Sequence, residues 1–165
     1  MKKILIISAT NDKNLDLAKE LNKIISTMKI ETELVSLQDL NLPLFDFKNT
    51  VDGKAVENLI DKISKSSGLI ICSPEYNGGV PPVLSNAITW VTVKTKNWRD
   101  AFNGKYAIIA TSSGGDGKRF LTAFRSQLEH LGVNVLARTI STQKDKPLKE
   151  SSAKRILQGL VDVAG

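Results

Sequence analysis

Three loops of the sequence carry the groups that could do chemistry: residues 8–14 (SATNDKN), 73–81 (SPEYNGGVP) and 111–119 (TSSGGDGKR). Each loop follows an apolar run and is rich in hydroxyl, amide or glycine residues. Such loops present hydrogen-bond donors and backbone amides rather than nucleophiles or metal ligands. We therefore predict that they bind a polar ligand that supplies its own reactivity, and we assign neither a catalytic side chain nor a metal site.

The first loop runs directly into a helical pattern and predicts a phosphate site. Its polar side chains are those of Ser8, Thr10 and Asn14. The first amides of a helix, here those of residues 13–15 and so including Leu15, have no intrahelical acceptors and bind anions well. The alternative from the same loop is purely structural, because Asn11 or Asp12 is also a good N-terminal helix cap.

The second loop predicts a contorted backbone directly after a buried strand. Pro74 fixes its own backbone angle and has no N–H, while Asn77-Gly78-Gly79 tolerates left-handed angles. Such a loop can turn several backbone amides toward the edge of one flat heteroaromatic ring, with Tyr76 nearby. The alternative is a plain Asn-Gly turn, but the combination of Pro, aromatic, Asn-Gly-Gly and Pro-Pro favours ligand binding.

The third loop has Gly114, Gly115 and Gly117 within a short span, so a ligand or the second loop can approach its backbone closely. It matches neither G-x-x-x-x-G-K-[ST] nor G-x-G-x-x-G, which argues against a nucleoside-triphosphate site.

The single cysteine and the single histidine are given structural roles. Cys72 lies within an apolar run, so we interpret it as a small buried hydrophobic residue rather than a nucleophile. His130 falls late in a helix, where a helix-end or surface role is expected. One histidine cannot form a multi-histidine metal site.

Composition is that of an ordinary globular protein. The chain has 165 residues, 41% hydrophobic and 24% charged, which suits one domain over residues 1–165. The N-terminal apolar run is too short for a signal peptide, and one cysteine permits no internal disulfide, so a cytoplasmic location is expected. The net charge of +6 is scattered without a basic stripe. We therefore expect neither nucleic acid nor a membrane as partner, and a mild preference for anions.

Strands and helices that would position these loops alternate five times. The predicted strands are residues 4–7, 30–37, 69–73, 105–113 and 133–137. Gly68 is expected to end the second helix, and Pro81 and Pro82 to lie in the first turn of the third. Alternation of this kind predicts a three-layer α/β sandwich with five parallel strands in the order 2-1-3-4-5. Ligands of such sheets bind beyond the carboxyl ends of the strands, where the three loops lie.

The segment SPEYNGGVPPVLSNAITW (73–90) resembles the signature of the NAD(P)H-dependent FMN reductases, a flavodoxin-like group that also includes quinone, azo-dye and chromate reductases. The matching positions are Pro74, Glu75, Tyr76, Asn77, Pro81, Leu84, Asn86, Ala87, Ile88 and Trp90. NLDLA (14–18) resembles the start of the family's first helix, and SSGGDGKR (112–119) resembles its third loop. In element order and length the resemblance spans about the whole chain.

The resemblance implies a flavodoxin-like fold that holds FMN in the three loops. It implies that the first loop binds the phosphate, that residues 74–77 bind the isoalloxazine ring largely through backbone, and that the third loop borders the ring. The expected cofactor-binding residues are Ser8, Thr10, Asn14, Leu15, Pro74, Glu75, Tyr76, Asn77, Gly78, Ser112, Ser113, Gly114 and Gly115. The implied reaction passes hydride from NADPH or NADH to the flavin and then to a small electron acceptor: a quinone, an azo compound, a metal ion or free flavin.

The first loop departs from the family pattern, which is usually Gly-Ser-x-Arg. Here the loop is shorter, has no Arg, and carries Asp12 where a Ser is expected, with Lys13 as its nearby cation. FMN is still predicted in preference to FAD or riboflavin, because the loop ends at a helix start suited to a phosphate. Two alternatives stay open: a flavin-binding electron carrier or sensor without a nicotinamide site, and a flavodoxin-like interaction protein without a cofactor.

A homodimer or homotetramer is expected, in part from the resemblance. Trp90 is predicted to face away from the apolar side of its helix, and Trp98 follows soon after. Two tryptophans near one helix end indicate a surface that a second chain covers. The alternative is that Trp98 packs under its own loop.

Overall fold

Strands and helices alternate along the chain in the computed structural model, which describes residues 2–48 and 53–164. The elements are β1 (Lys3–Ser8), α1 (Lys13–Ser26), β2 (Glu31–Ser36), α2 (Lys54–Lys65), β3 (Gly68–Cys72), α3 (Pro82–Lys94), β4 (Tyr106–Ser112), α4 (Lys118–His130), β5 (Asn134–Val135), β6 (Ile140–Thr142) and α5 (Glu150–Val163). A short 3-10 helix, Gln38–Leu40, follows β2. Within these residues no helix has the length and apolar character needed to cross a membrane.

The strands form one parallel sheet in the predicted order β2-β1-β3-β4-β5. β1 pairs with β2 on one side and with β3 on the other, and residues 4–7 of β1 are buried. An unbroken apolar run is needed there because a strand covered on both faces has no solvent side. The winding reverses at β1 and β3, so a crevice lies beyond the carboxyl ends of these two strands.

Helices cover both faces of the sheet, and the alternation of side chains along the strands divides the core in two. Leu5 and Ile7 point to the face covered by α2, α3 and α4. Ile4 and Ile6 point to the face covered by α1 and α5. This arrangement confirms the predicted three-layer α/β sandwich.

The fifth strand is split, which differs from the prediction of one strand over residues 133–137. β5 pairs with the start of β4 and β6 with its end, so the sheet has six strand segments. At the end of β5, the guanidinium of Arg125 donates to the carbonyls of Val135 and Leu136 at 3.0 and 2.7 Å. Carbonyls bound to this side chain no longer serve the sheet ladder, which explains why pairing stops there.

Gly68 does not end the second helix, so that prediction was wrong. α2 ends at Lys65, and Gly68 is the first residue of β3. A Cβ on Gly68 would lie 3.0 Å from Cδ1 of Ile4 and 3.2 Å from Cδ1 of Leu160. Close packing between the sheet and α5 therefore favours a glycine at this position.

Trp90 is buried by its own chain, so the prediction that it lies on a surface for a second subunit was wrong. Its side chain is 1% exposed, and its indole N–H donates to the carbonyl of Pro43 at 2.7 Å. The ring of Phe45 packs edge-on against it, with ring centres 5.0 Å apart. Asn86 holds the same loop, donating to the Pro43 carbonyl at 2.9 Å and accepting from the Phe45 N–H at 2.7 Å. Two residues of the signature segment thus fasten the loop after β2 onto α3.

Candidate functional site

Buried polar side chains gather at the carboxyl edge of the sheet. Of the eight that are buried among the described residues, all but Ser66 lie at or just beyond the carboxyl end of a strand. These seven are Ser8, Thr10, Asn14, Ser36, Ser73, Thr111 and Thr142. Burying a polar group is costly unless it is hydrogen-bonded, so this edge is where the fold concentrates its polar network.

Asp12 caps α1, as the sequence indicated for Asn11 or Asp12. Its carboxylate Oδ1 accepts from the N–H of Asn14 at 3.0 Å and from the hydroxyl of Thr10 at 2.7 Å. Its backbone carbonyl accepts from the N–H groups of Leu15 and Asp16 at 2.8 and 3.2 Å. Asp12 therefore takes three of the four amides that open the helix, which is where the sequence predicted a phosphate.

The carboxylate of Asp12 adds a negative charge to this helix start. Desolvation raises the pKa of Asp12, but hydrogen bonds from the Asn14 N–H, the Thr10 hydroxyl and the Asn14 side chain together outweigh it. The pKa of Asp12 consequently lies below its ordinary value, and the group is ionised at neutral pH. Within residues 2–48 and 53–164, no lysine or arginine forms an ion pair with it.

Asn14 ties α1 to the end of β4. Its side-chain amide donates to the carbonyl of Ser112 at 2.9 Å and accepts from the N–H of Ser112 at 2.8 Å. The hydroxyl of Ser8 donates to the carbonyl of Thr10 at 2.7 Å. These predicted ligand groups are therefore bonded within the protein, where they hold the first and third loops in place.

Residues 76–79 of the second loop form a tight turn. Asn77 has φ 51° and Gly78 has φ 70°, and Tyr76 and Gly79 exchange backbone hydrogen bonds of 3.3 and 2.9 Å. Two consecutive left-handed residues of sequence Asn-Gly are typical of a type I′ turn. The N–H groups of Asn77 and Gly78 have no acceptor among the described residues. They are the donors that this loop can offer to a ligand.

Glu75 joins the second loop to the third. Its carboxylate accepts from the N–H of Phe120 in the first turn of α4 at 2.9 Å, a position where the helix dipole favours an anion. Its own N–H donates to the hydroxyl of Ser113 at 3.0 Å, and that hydroxyl lies 2.8 Å from the hydroxyl of Thr111. Glu75 is therefore a positioning residue, with both its side chain and its amide already bonded.

The third loop leaves space beside its backbone. A Cβ built on Gly114 or Gly115 would meet no atom within 4 Å. The predicted site residues Ser112 and Ser113 precede these glycines and are fixed by Asn14 and Glu75. The bond between Glu75 and Ser113 thus ties the residue before the turn of the second loop to the residue before these two glycines.

Arg119 lies against the turn and was not predicted as part of the site. A Cβ on Gly78 would lie 3.1 Å from Cδ of Arg119. In the sequence Arg119 forms a basic pair with Lys118 at the end of the third loop, and neither residue was among the expected cofactor-binding residues. The signal available was the position of this pair, which opens α4 at the sheet edge where the second loop also lies.

The predicted site residues of all three loops come together at this edge, whereas Cys72 and His130 lie outside the loops. Cys72 is completely buried, and burial raises the pKa of its thiol, so it stays protonated. His130 packs against Trp98 with ring centres 5.3 Å apart. In the described part of the chain, no cluster of three or more His, Cys, Asp or Glu side chains could hold a metal ion.

Solved structures place the fold among flavodoxin-like proteins. FerB of Paracoccus denitrificans, a flavoenzyme NAD(P)H:(acceptor) oxidoreductase, matches with a TM-score of 0.75 and 22% identity, over 99% of this chain and 95% of that one. A flavodoxin from the domain Archaea matches with a TM-score of 0.69 and 12% identity, over 99% of both chains. Likeness at these identities shows the fold alone, and it confirms the predicted flavodoxin-like type.

Sequence relatives include reductases. An uncharacterised protein of Mycoplasma pneumoniae is 25% identical over 138 residues, covering 80% of each chain. The quinone reductase of Escherichia coli strain K12 is 34% identical over 99 residues, which are 59% of this chain and 51% of that one. The NADH-dependent flavin reductase subunit 2 of Lactobacillus johnsonii is 30% identical over 53% of this chain and 47% of its own. The match thus spans about half the length of these two reductases.

The family profile described as NADPH-dependent FMN reductase matches residues 2–146, which include all three loops. Membership implies an oxidoreductase that uses FMN as cofactor and NAD(P)H as hydride donor, as the resemblance had indicated. On the length of this match and the geometry of the loops, the chain belongs to the NADPH-dependent FMN reductase family.

Proposed function

We propose that this chain is an FMN-dependent NAD(P)H oxidoreductase that reduces a small acceptor such as a quinone, an azo compound, a metal ion or free flavin. One observation carries the proposal. The turn at residues 76–79 keeps two amides that have no acceptor in the part of the chain that the structure describes, and Glu75 ties this turn to Ser113, which precedes the open glycine backbone of the third loop.

The second and third loops fit the ring of a flavin. A flat ring with carbonyls and ring nitrogens along one edge needs donors in a row, and the N–H groups of Asn77 and Gly78 are adjacent and available. Gly114 and Gly115 have no side chains to block the approach of a flat ligand. Tyr76 is 45% exposed and adds an aromatic surface to the same turn.

The first loop fits the phosphate less well than the sequence predicted. Of the amides that would bind it, that of Asn14 donates to the Asp12 carboxylate and that of Leu15 to the Asp12 carbonyl, and no arginine is present in the loop. In our proposal the second and third loops therefore make most of the contacts that hold FMN, and the start of α1 makes fewer.

The chain's own contribution to the reaction is orientation and electrostatics. FMN, when bound, supplies the capacity to accept a hydride and pass electrons on. The amides of Asn77 and Gly78 would stabilise negative charge on a ring placed against them, and the nearby Arg119 adds positive potential. No side chain is assigned as a general acid or base. The exposure of Tyr76 leaves the site open, which suits small acceptors of varied shape.

A homodimer or homotetramer acting in the cytoplasm remains part of the proposal. Its support is now the family resemblance together with Val93 and Trp98, each 46% exposed at and after the end of α3. Light scattering at micromolar concentration tests it. A monodisperse monomer of 18.0 kDa that still reduces acceptors with NAD(P)H would contradict the idea that a second subunit completes the site.

The reductase activity is tested by anaerobic titration of the FMN-loaded protein with NADPH and, separately, with NADH. We expect the visible flavin bands to bleach at one equivalent of reductant, and to return when a quinone, an azo dye or free flavin is added. Bound flavin that neither nucleotide bleaches would identify an electron carrier instead. Absence of any flavin binding would point to an interaction protein without a cofactor.

A further inference from the structure

The start of α1 is filled by a carboxylate of the chain itself. Oδ1 of Asp12 accepts from the N–H of Asn14 and from the hydroxyl of Thr10, two donors that the first loop could otherwise offer to a ligand. Within the described residues, the N–H of Lys13 is the one amide of the first four in α1 that has no acceptor. An anion that approaches this helix end therefore meets a resident negative charge, and it finds the N–H groups of Asn14, Leu15 and Asp16 already bonded.

A second carboxylate stands beside the same loop. The side-chain amide of Asn11 donates to Asp39, and the N–H of Asn11 donates to the side-chain carbonyl of Gln38 at 2.9 Å. The loop is thus fastened to the segment after β2 in a way that keeps Asp39 near the helix start. Although the whole chain has a net charge of +6, the carboxylates of Asp12 and Asp39 both lie at this loop.

We propose that the Asp12 carboxylate competes with the flavin phosphate for the start of α1, so that FMN is an exchangeable ligand of this chain rather than a tightly retained one. The inference rests on the proposed flavin-binding function. Asp12 is then a specificity-determining residue, because its carboxylate weakens binding of the FMN phosphate and does not affect binding of the flavin ring. Asp12 is exposed to solvent, so an incoming ligand can reach it and displace it.

Competition of this kind has a measurable size. To bind the helix start, a phosphate must either displace the Asp12 cap or lie next to its negative charge. Loss of the cap and repulsion between the like charges would each weaken binding on the order of tenfold. Riboflavin has the same ring and no phosphate, so neither the cap nor the charge of Asp12 should affect its affinity. The ratio of the FMN and riboflavin affinities therefore isolates the contribution of the phosphate, and the change of this ratio when Asp12 is substituted isolates the effect of Asp12.

The test is to titrate FMN and riboflavin into the flavin-free full chain and into Asp12→Asn, following flavin fluorescence. Asparagine is as good a helix cap as aspartate, so the fold and the hydrogen bonds to Thr10 and Asn14 are kept while the charge is removed. We expect FMN to bind Asp12→Asn about tenfold more tightly and to dissociate more slowly, with riboflavin changed less than about twofold. Asp12→Ala, which removes the competing oxygens as well, should shift FMN in the same direction.

Asp16→Asn is the matched control. Asp16 lies in the first turn of the same helix, so this variant removes an equal charge nearby without touching the cap. We expect the affinity ratio to stay at its wild-type value. The inference is overturned if Asp16→Asn tightens FMN as much as Asp12→Asn does, or if Asp12→Asn alters both flavins equally. Failure of every variant to bind either flavin would overturn the proposed function as well, which distinguishes the two claims.

Discussion

Substitution of Gly78 tests the turn of the second loop most sharply. Its φ of 70° is in the left-handed region, which costs a residue with a Cβ about 1–2 kcal/mol. A new Cβ would also lie 3.1 Å from Cδ of Arg119, but that flexible side chain can move aside. Since 1.4 kcal/mol corresponds to a factor of ten, Gly78→Ala should weaken flavin binding about 5- to 30-fold. Gly78→Val should weaken it further, because a β-branched residue resists this angle more strongly.

Gly79→Ala is the matched control for this prediction. Gly79 lies in the same turn outside the left-handed region, and a Cβ there would make an ordinary contact of 3.7 Å with the carbonyl of Tyr76. Riboflavin titration by fluorescence, with urea denaturation of each variant, separates loss of the turn from loss of the fold. Equal weakening by Gly78→Ala and Gly79→Ala would refute the argument from backbone angle, and so would no weakening by Gly78→Val.

Three further predictions concern single side chains. Glu75→Ala leaves the N–H of Phe120 without its acceptor, so we expect the free energy of unfolding to fall by about 1 kcal/mol and hydrogen exchange at that amide to become faster. Glu75→Gln keeps an acceptor for this amide, so its hydrogen exchange should stay slow. Cys72→Ser should retain flavin binding and turnover because the thiol is buried and protonated; lost turnover with bound flavin and an intact fold would show a role for it. The pKa of Asp12 is lower in the folded protein than in the unfolded chain, where it is near 4. This difference stabilises the fold at pH values above about 4, and the stabilisation is lost as the pH falls through the pKa of the folded protein. In urea denaturation between about pH 2 and 6, the free energy of unfolding should therefore fall less steeply with acidification in Asp12→Asn than in the wild type. Parallel curves of unfolding free energy against pH would contradict this.

The sheet order was predictable from the sequence because its signals are local. Residues 4–7 form an unbroken apolar run, and such runs separated by amphipathic helices leave few arrangements besides a parallel sheet. The split of the fifth strand was not predictable, because it depends on Arg125 reaching two carbonyls ten and eleven residues away. Gly68 was misassigned for a similar reason, since its close neighbours Ile4 and Leu160 are distant in sequence.

The location of the candidate site was predictable from the sequence, but the hydrogen-bond partners of its side chains were not. The Asn-Gly turn follows from local backbone preferences, and it was anticipated as the alternative for the second loop. The partners of Asn14 and Glu75 are 98 and 45 residues away, so nothing local showed that these side chains bond to the protein. Trp90 was misjudged because a helical projection of α3 omits the loop that covers it.

The central claim is that a flavin ring binds at the turn of the second loop and beside the glycines of the third. Amide NMR of the isotopically labelled chain, titrated with riboflavin, tests this most directly because it reports each backbone N–H separately. We predict that the largest shifts occur at Asn77, Gly78, Gly114 and Gly115, with smaller shifts at Glu75, whose amide is bonded to Ser113. Shifts concentrated instead around the separate cavity of about 170 Å³ lined by Thr139, Lys146 and Ser152 would contradict the account.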